Sequence, residues 1–290
     1  MKRENIEIFH SSKRVEWLMR VMEIREKGYA EGDKVTLYIV DMEVDDLLPE
    51  HITSLACLVE YLYRRSVAVI VDRRTPCGEF LCADLHLWEY WGNRKDYFPA
   101  RNDTILNLWH VKSEQTEEHA RRITDYLKNA TSRTKDLSAV TNSLHEAYYN
   151  IKDHSHAGEN AFSMISYNKN TQVLHVAVCD FGIGVAASVR QFDPTITDDK
   201  HALKRASEAN FTVGSAAHNA GMGLDNIRRV CTDAADDDVW LISNTAALRM
   251  TGSNLRATDL GFEFKGCLLA YSVSLSHFED EEMLEDFIWD

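Results

Sequence analysis

Long hydrophobic runs are missing from this 290-residue chain, and their absence excludes several classes of protein. No apolar stretch approaches the roughly 20 residues needed to span a membrane. The first residues, MKRENIEIFHSSKRVEW, contain no apolar centre long enough for a secretory signal. We therefore expect a cytoplasmic protein with no membrane partner.

Paired cysteines and a basic surplus are missing as well. The six cysteines are scattered without CxxC or metal-site spacing, which predicts reduced thiols and no disulfide framework. Lys and Arg number 32 against 46 Asp and Glu, so the net charge is −14. Because nucleic-acid affinity depends on cationic contacts with phosphates, we expect no nucleic-acid partner. An anionic nucleotide would have to be held by local features of a pocket.

The length and the hydrophobic pattern predict one or two domains of mixed α/β type. Helical spacing of apolar residues predicts a single amphipathic helix over residues 1–33. Residues 34–110 then read as strand, helix and strand (VTLYIVDMEV, HITSLACLVEYLYRR, SVAVIVDRR), followed by a helix over GEFLCADLHLWEYWG. The first three elements predict a parallel pair of strands with a right-handed crossover. Residues 111–278 are assigned to a second domain.

In that second domain, AFSMISY and TQVLHVAV predict a hairpin, because turn-forming residues separate them. The apolar runs VWLIS and GCLLAYSVSL predict late strands. Between them, the residues after Gly184 include a short helix around DKHALKRASEA, and a connection of this length predicts a lid. Residues 279–290 form an acidic tail with interspersed apolar residues, which is either solvated surface or a docking peptide.

The helical segment SLHEAYYNIKDHS places Glu146, Asn150 and His154 four residues apart and therefore on one face. That face is polar, which is unusual for a helix that only packs against a core. Taken alone, Asn150 is also compatible with a helix surface, and His154 with a histidine at a helix C-terminus.

A second group of residues follows the apolar run VLHVAVCD, which ends in Asp180 and is followed by Gly182 and Gly184. An acid at a rigid strand end can accept a hydrogen bond from the exocyclic amine of adenine, and the two glycines allow a ligand to approach closely. Asn150 offers a neutral oxygen to Mg²⁺, and Glu146 could deprotonate an attacking hydroxyl or water. A plain turn is the alternative reading of Asp180 and its glycines.

A third group lies in VGSAAHNAGMGLDNIRRV, where Gly221 and Gly223 precede a helix-like segment that starts at Leu224. Backbone amides at such a helix start can hold phosphate. Each group is a weak signal alone. Their conjunction in this order within about 80 residues favours a nucleotide pocket.

Together these motifs resemble the GHKL ATPase superfamily of gyrase, the heat-shock chaperone, histidine kinases and MutL. HEAYYNIKDHS resembles its N box, CDFGIGV its first glycine box and GMGLDNI its second. The spacing E-A-x-x-N-x-x-x-H is most similar to the anti-sigma-factor serine kinases. The resemblance implies a Bergerat-type two-layer α/β sandwich over residues 111–278.

The same resemblance implies site residues. Glu146 would be the catalytic base and Asn150 the Mg²⁺ ligand, and residues 185–223 would form the ATP lid. The ATP-binding set would comprise Asn150, Asp153, His154, Asp180, Gly182, Gly184, Gly214, Gly221, Met222, Gly223 and Leu224. One departure is visible: many members carry Gly-Thr on a late strand where this chain has Gly266-Cys267.

Residues 34–110 resemble, less closely, a STAS domain, the fold of anti-sigma-factor antagonists. The loop VDDLLPEHITS has no serine where such domains carry the phosphoacceptor, so this module is expected to serve in recognition or dimerisation. The expected function is a Mg²⁺-dependent ATPase or a serine/threonine-type protein kinase acting in partner switching, with a STAS-like or sigma-regulator partner. The alternatives are a non-catalytic ATP-sensing module and a scaffold that binds no nucleotide. A homodimer stays open.

Overall fold

The structure is a computed structural model, and it describes residues 3–130, 137–151, 156–208, 238–251 and 254–278. Over these ranges the chain is mixed α/β, with two sheets and helices packed on them. Across the described ranges no helix is long and apolar enough to cross a membrane. The acidic tail predicted for residues 279–290 lies outside them.

The first sheet is parallel, with strand order β1-β2-β3. Its strands are β1 (Glu4–Phe9), β2 (Lys34–Ile39) and β3 (Ala68–Val71). Helix α1 (Arg14–Glu26) connects β1 to β2, and α2 (Pro49–Tyr63) connects β2 to β3. The predicted parallel pairing of the strands on either side of α2 is confirmed.

The prediction of one helix over residues 1–33 is wrong for β1. Glu7 and Phe9 are buried while Ile6 and Ile8 are exposed, which is the alternation of a strand. From the sequence alone, a charged residue such as Glu7 is expected to face solvent, but in the structure Glu7 is buried. In the fold it accepts hydrogen bonds from Lys27 Nζ at 2.7 and 2.8 Å, among other donors, so its charge is compensated.

The single helix predicted over residues 78–92 is also only partly right. The chain forms α3 (Pro76–Glu79), a π-helical turn over Phe80–Asp84, and α4 (Glu89–Gly92). His86 lies between the last two with φ of 53°, a left-handed conformation that interrupts a right-handed helix.

The second sheet is antiparallel, with strand order β4-β5-β6-β8-β7. Its strands are β4 (Ile105–His110), β5 (Ala161–Asn168), β6 (Val173–Asp180), β7 (Asp238–Thr251) and β8 (Asn254–Ser274). The predicted hairpin is β5–β6, and the predicted late strands are parts of the longer β7 and β8. Strand β4, which precedes the expected domain boundary at residue 110, pairs with β5 in this second sheet.

Both faces of the second sheet are covered. Helices α5 (Thr116–Ala130) and α6 (Ser138–Asn150) share one buried cluster with Val176 and Val178 of β6. Ala177 and Cys179 point to the opposite face and share a cluster with α1, α2 and the first sheet. The described chain therefore has four layers: first sheet, α1 and α2, second sheet, α5 and α6.

Candidate functional site

The candidate site is built around Asp180, the last residue of β6. Its backbone pairs with Ala161 of β5 on one side and Cys267 of β8 on the other. Since Val176 and Val178 face α5 and α6, alternation along the strand directs Asp180 to the same side. Only 4% of Asp180 is exposed, so its carboxyl group is buried at this end of the sheet.

The turn after Asp180 is closed by its own side chain, because Gly182 N donates a hydrogen bond to Asp180 Oδ1 at 2.8 Å. Gly184 has φ of 81° and directly precedes helix α7 (Val185–Phe192). A Cβ on Gly184 would lie 2.5 Å from both Ser243 Oγ and Asn244 Oδ1. Glycine is therefore required at position 184 for two reasons: the positive φ and the lack of space for a Cβ. An ordinary turn would require only the first.

Ser243 and Asn244 of β7 hold this turn in place. Ser243 Oγ accepts a hydrogen bond from Val185 N at 2.8 Å and lies 2.7 Å from Gly266 O, to which it donates. Asn244 Nδ2 donates to Ile183 O at 3.2 Å. The register of β7 and β8 is irregular at these two residues, and Asn244 has φ of 53°.

Sequence reasoning missed these two residues. The signal available was a polar pair, Ser243 and Asn244, directly after the apolar run VWLI. Their partners in the turn are about 60 residues earlier in the chain, so no local pattern connects them.

Gly266 of β8 lies against the backbone of Asp180. A Cβ at this position would lie 1.9 Å from Asp180 O, and its φ is 138°. Cys267 follows and is the cross-strand neighbour of both Asp180 and Ser243, so one row of residues crosses three strands at this end of the sheet. The departure from Gly-Thr thus places a thiol in the row that contains Asp180.

Burial raises the pKa of Asp180 to about 7, against an ordinary value of 3.8, while the hydrogen bond from Gly182 N acts in the opposite direction. Two titratable neighbours among the described residues are the thiols of Cys179 and Cys267. Burial raises the pKa of Cys179 and of Cys267 well above the usual value for cysteine, so both are neutral at pH 7. A cationic or hydrogen-bond-donating ligand would favour the ionised form of Asp180.

This pKa gives a first prediction, for stability against pH. The native carboxyl of Asp180 binds its proton more tightly than the unfolded chain does, so its contribution lowers stability as pH rises from about 4 to about 7. A pKa of about 7 in place of 3.8 corresponds to about 4 kcal/mol. Urea unfolding of wild type and Asp180→Asn across this window should show a stability difference that changes with pH in favour of the variant. Parallel curves would contradict the assignment.

Helix α6 carries Glu146 and Asn150, both half-buried. Two hydrogen bonds fix the helix to the sheet: Ser143 Oγ lies 2.8 Å from Tyr271 OH, and Tyr148 OH lies 2.8 Å from Ser163 Oγ. Helical spacing puts Asn150 seven residues after Ser143 on nearly the same face, and Glu146 one turn before Asn150. Asp180 points to the side of the sheet on which this helix packs.

Seven of the expected ATP-binding residues lie outside the described part of the chain. They are Asp153, His154, Gly214, Gly221, Met222, Gly223 and Leu224. Their roles stay predictions.

The first part of the expected lid is described, and it is attached to the β7–β8 hairpin. It consists of α7 and α8 (Asp199–Ala206). Asp199 accepts hydrogen bonds from Thr245 N at 3.0 Å and Thr245 Oγ1 at 2.6 Å, and Lys200 forms an ion pair with Asp259 at 2.7 Å. Residues 209–223 of the expected lid lie outside the described part of the chain.

The donor set also bears on the expected Mg²⁺ ion. Within the described ranges no three His, Cys, Asp or Glu side chains are grouped so that they could enclose a metal. Mg²⁺ in nucleotide sites keeps several waters and phosphate oxygens and takes only one or two protein ligands. A single neutral oxygen from Asn150 fits that mode of binding.

Neither protein-family models nor curated proteins give a match to this chain.

Proposed function

We propose that the chain binds ATP between α6 and the Asp180 end of the second sheet. The observation that carries this proposal is the buried carboxyl of Asp180, followed by a turn in which Gly182 and Gly184 carry no side chain. Such a carboxyl can accept a hydrogen bond from the exocyclic amine of adenine. The resemblance to the GHKL superfamily supports the same assignment.

The phosphates would extend from this base site toward α6. Asn150 would hold Mg²⁺ through its side-chain oxygen, and the ion would neutralise charge on the phosphate oxygens. Glu146, one turn earlier on the helix, would orient or deprotonate the group that attacks the terminal phosphate. Hydrolysis, or transfer of that phosphate to a serine or threonine of a partner protein, would follow.

Replacement of Glu146 by alanine tests the chemical step. We expect turnover to fall by about 100-fold to 10,000-fold, the usual contribution of a general base, with little change in ATP affinity. The measurement is phosphate release, or phosphorylation of a co-purified partner, alongside calorimetric titration. The matched control is Glu117→Ala, at an exposed glutamate of the neighbouring helix α5. This variant should leave both turnover and ATP affinity unchanged. Full turnover in Glu146→Ala would exclude a general-base role.

A second candidate function, ATP sensing without turnover, is favoured by one set of contacts. Phe181 follows Asp180 and packs against Phe264. The guanidinium group of Arg25 on α1 lies 5.2 Å from the ring centre of Phe181. Phe181 N also donates to Asn160 O, and Asn160 Nδ2 donates to Cys57 O of α2. A ligand at Asp180 would therefore act one residue away from the contact with the N-terminal helices. Biological activity that survives Glu146→Ala would favour this candidate.

We further infer that the two sheets correspond to the two expected modules. The alternating strands and helices of β1 to β3 support a STAS-like module, and the antiparallel sheet with α5 and α6 on one face supports a Bergerat-type module. The shared core argues that the modules act as one unit, with α2 as the common layer. A cytoplasmic regulatory role, with a STAS-like or sigma-regulator protein as the partner, is the function we propose for the pair.

A further inference from the structure

The first sheet has one face packed against α1 and α2 and a second face, here called the outer face. Alternation along the strands places Glu4, Lys34 and Ala68 on it at one end, followed by five further side chains. These are Ile6 and Ile8 of β1, Thr36 and Tyr38 of β2, and Ile70 of β3. Their strand neighbours Phe9, Val35, Leu37 and Val71 point the other way, into the core.

The three isoleucines of the outer face are exposed, whereas Thr36 between them is 8% exposed and Tyr38 is half-buried. The exposed fraction is 61% for Ile6, 44% for Ile8 and 41% for Ile70. Register aligns Ile6, Thr36 and Ile70 in one row across the sheet, with Ile8 and Tyr38 in the next row. These residues therefore form a continuous patch, which in soluble proteins is typical of an interaction surface. A purely parallel sheet also normally has both faces covered, which predicts that something covers this one.

Charges at the two ends of the outer face are balanced. At one end Glu4 forms an ion pair with Lys34 at 3.0 Å. At the other end Asp72 forms an ion pair with Arg74 at 2.6 Å, and Arg74 Nη2 also donates to Tyr38 OH at 2.8 Å. The patch thus has no net charge, although the chain as a whole carries −14.

We propose that the outer face is the interface of a homodimer, occupied by the same face of a second copy. In a two-fold interface each patch meets itself, so a patch with net charge of one sign would repel its copy. A balanced patch with apolar rows between two ion pairs avoids that repulsion. A strongly charged occupant, such as the acidic segment of residues 279–290, would need unpaired charges of opposite sign. Here both basic side chains at the ends of the patch are already paired with acids.

The test is the oligomeric state of the full chain, measured by sedimentation equilibrium from micromolar to submillimolar concentration. Wild type should dimerise, and Ile6→Glu and Ile70→Glu should each raise the dimer dissociation constant at least about 100-fold, because two like charges would be buried at the interface. Met19→Glu is the matched control: Met19 is 41% exposed and lies on α1, on the other side of the sheet. It should dimerise like wild type.

A second measurement keeps the proposal testable if a variant fails to fold. Lys34 lies at the end of the outer face, so an amine-reactive cross-linker should join Lys34 of one copy to a lysine of another in the wild-type chain. Mixing isotope-labelled and unlabelled protein distinguishes links between copies from links within one. A monomeric wild type would overturn the proposal, as would a dimer that Ile6→Glu and Ile70→Glu leave intact. Neither outcome depends on ATP binding, so this inference and the proposed function can fail separately.

Discussion

Asp180→Asn should weaken ATP binding by about 10-fold to 100-fold. A hydrogen bond to a charged acceptor contributes about 1.5–3 kcal/mol, and each 1.4 kcal/mol corresponds to about tenfold in affinity. In the variant, Gly182 N can keep its hydrogen bond to the remaining side-chain oxygen. The new amide NH₂ would then face the adenine amine, and because both groups are donors, no hydrogen bond would form between them. Titration calorimetry with ATP and Mg²⁺ at pH 8 measures the change with most of wild-type Asp180 ionised.

The matched control for this variant is Asp103→Asn. Its side chain is 85% exposed and pairs only at the surface with Lys169. It makes the same chemical change with little expected effect on ATP binding or on stability. Equal affinities for wild type and Asp180→Asn would remove Asp180 from the base site and would favour a scaffold that uses the fold without nucleotide.

Gly266→Ala should be the most destabilising single substitution among those considered, costing at least about 4 kcal/mol of unfolding free energy. The added Cβ would lie 1.9 Å from Asp180 O, a backbone atom that cannot move without breaking the pairing of β6 and β8. Urea unfolding at constant pH measures the cost. If the variant does fold, its ATP affinity should also fall, because any relaxation shifts the strand end that carries Asp180.

Gly261→Ala separates steric overlap from backbone conformation. Gly261 lies on the same strand with φ of 79°, and a Cβ there would have no neighbour within 4 Å. Its substitution should cost about 1 kcal/mol, from the left-handed conformation alone. Similar costs for Gly261→Ala and Gly266→Ala would mean that close packing at the Asp180 strand end is not what requires Gly266.

The parts of the fold that follow a local pattern could be predicted from the sequence. The hairpin β5–β6 follows from two alternating runs separated by turn residues, and the parallel β2–β3 pair follows from strand, helix and strand order. The position of Asp180 at a strand end was predictable for the same reason, since an apolar run stops there. Helix α6 was also predictable from its periodicity.

What could not be predicted depends on contacts between distant residues. The Ser243 and Asn244 contacts with the turn at Gly184 join two strands that lie far apart in the chain. Strand β1 was missed because its apolar residues Ile6 and Ile8 face outward and its buried Glu7 is charged, the reverse of the usual pattern. One signal was overlooked: α2 is buried nearly all round, and its apolar, small-residue sequence is typical of a helix between two layers.

Hydrogen exchange of the wild-type chain with and without ATP and Mg²⁺ reports both whether ATP binds and where on the chain it binds. We expect slower exchange concentrated in two peptides, one covering the end of β6 and the turn from Asp180 to Gly184, the other covering the last turns of α6 up to Asn150. Unchanged exchange in both peptides at saturating ATP, or protection confined to other parts of the chain, would contradict the proposed ATP site.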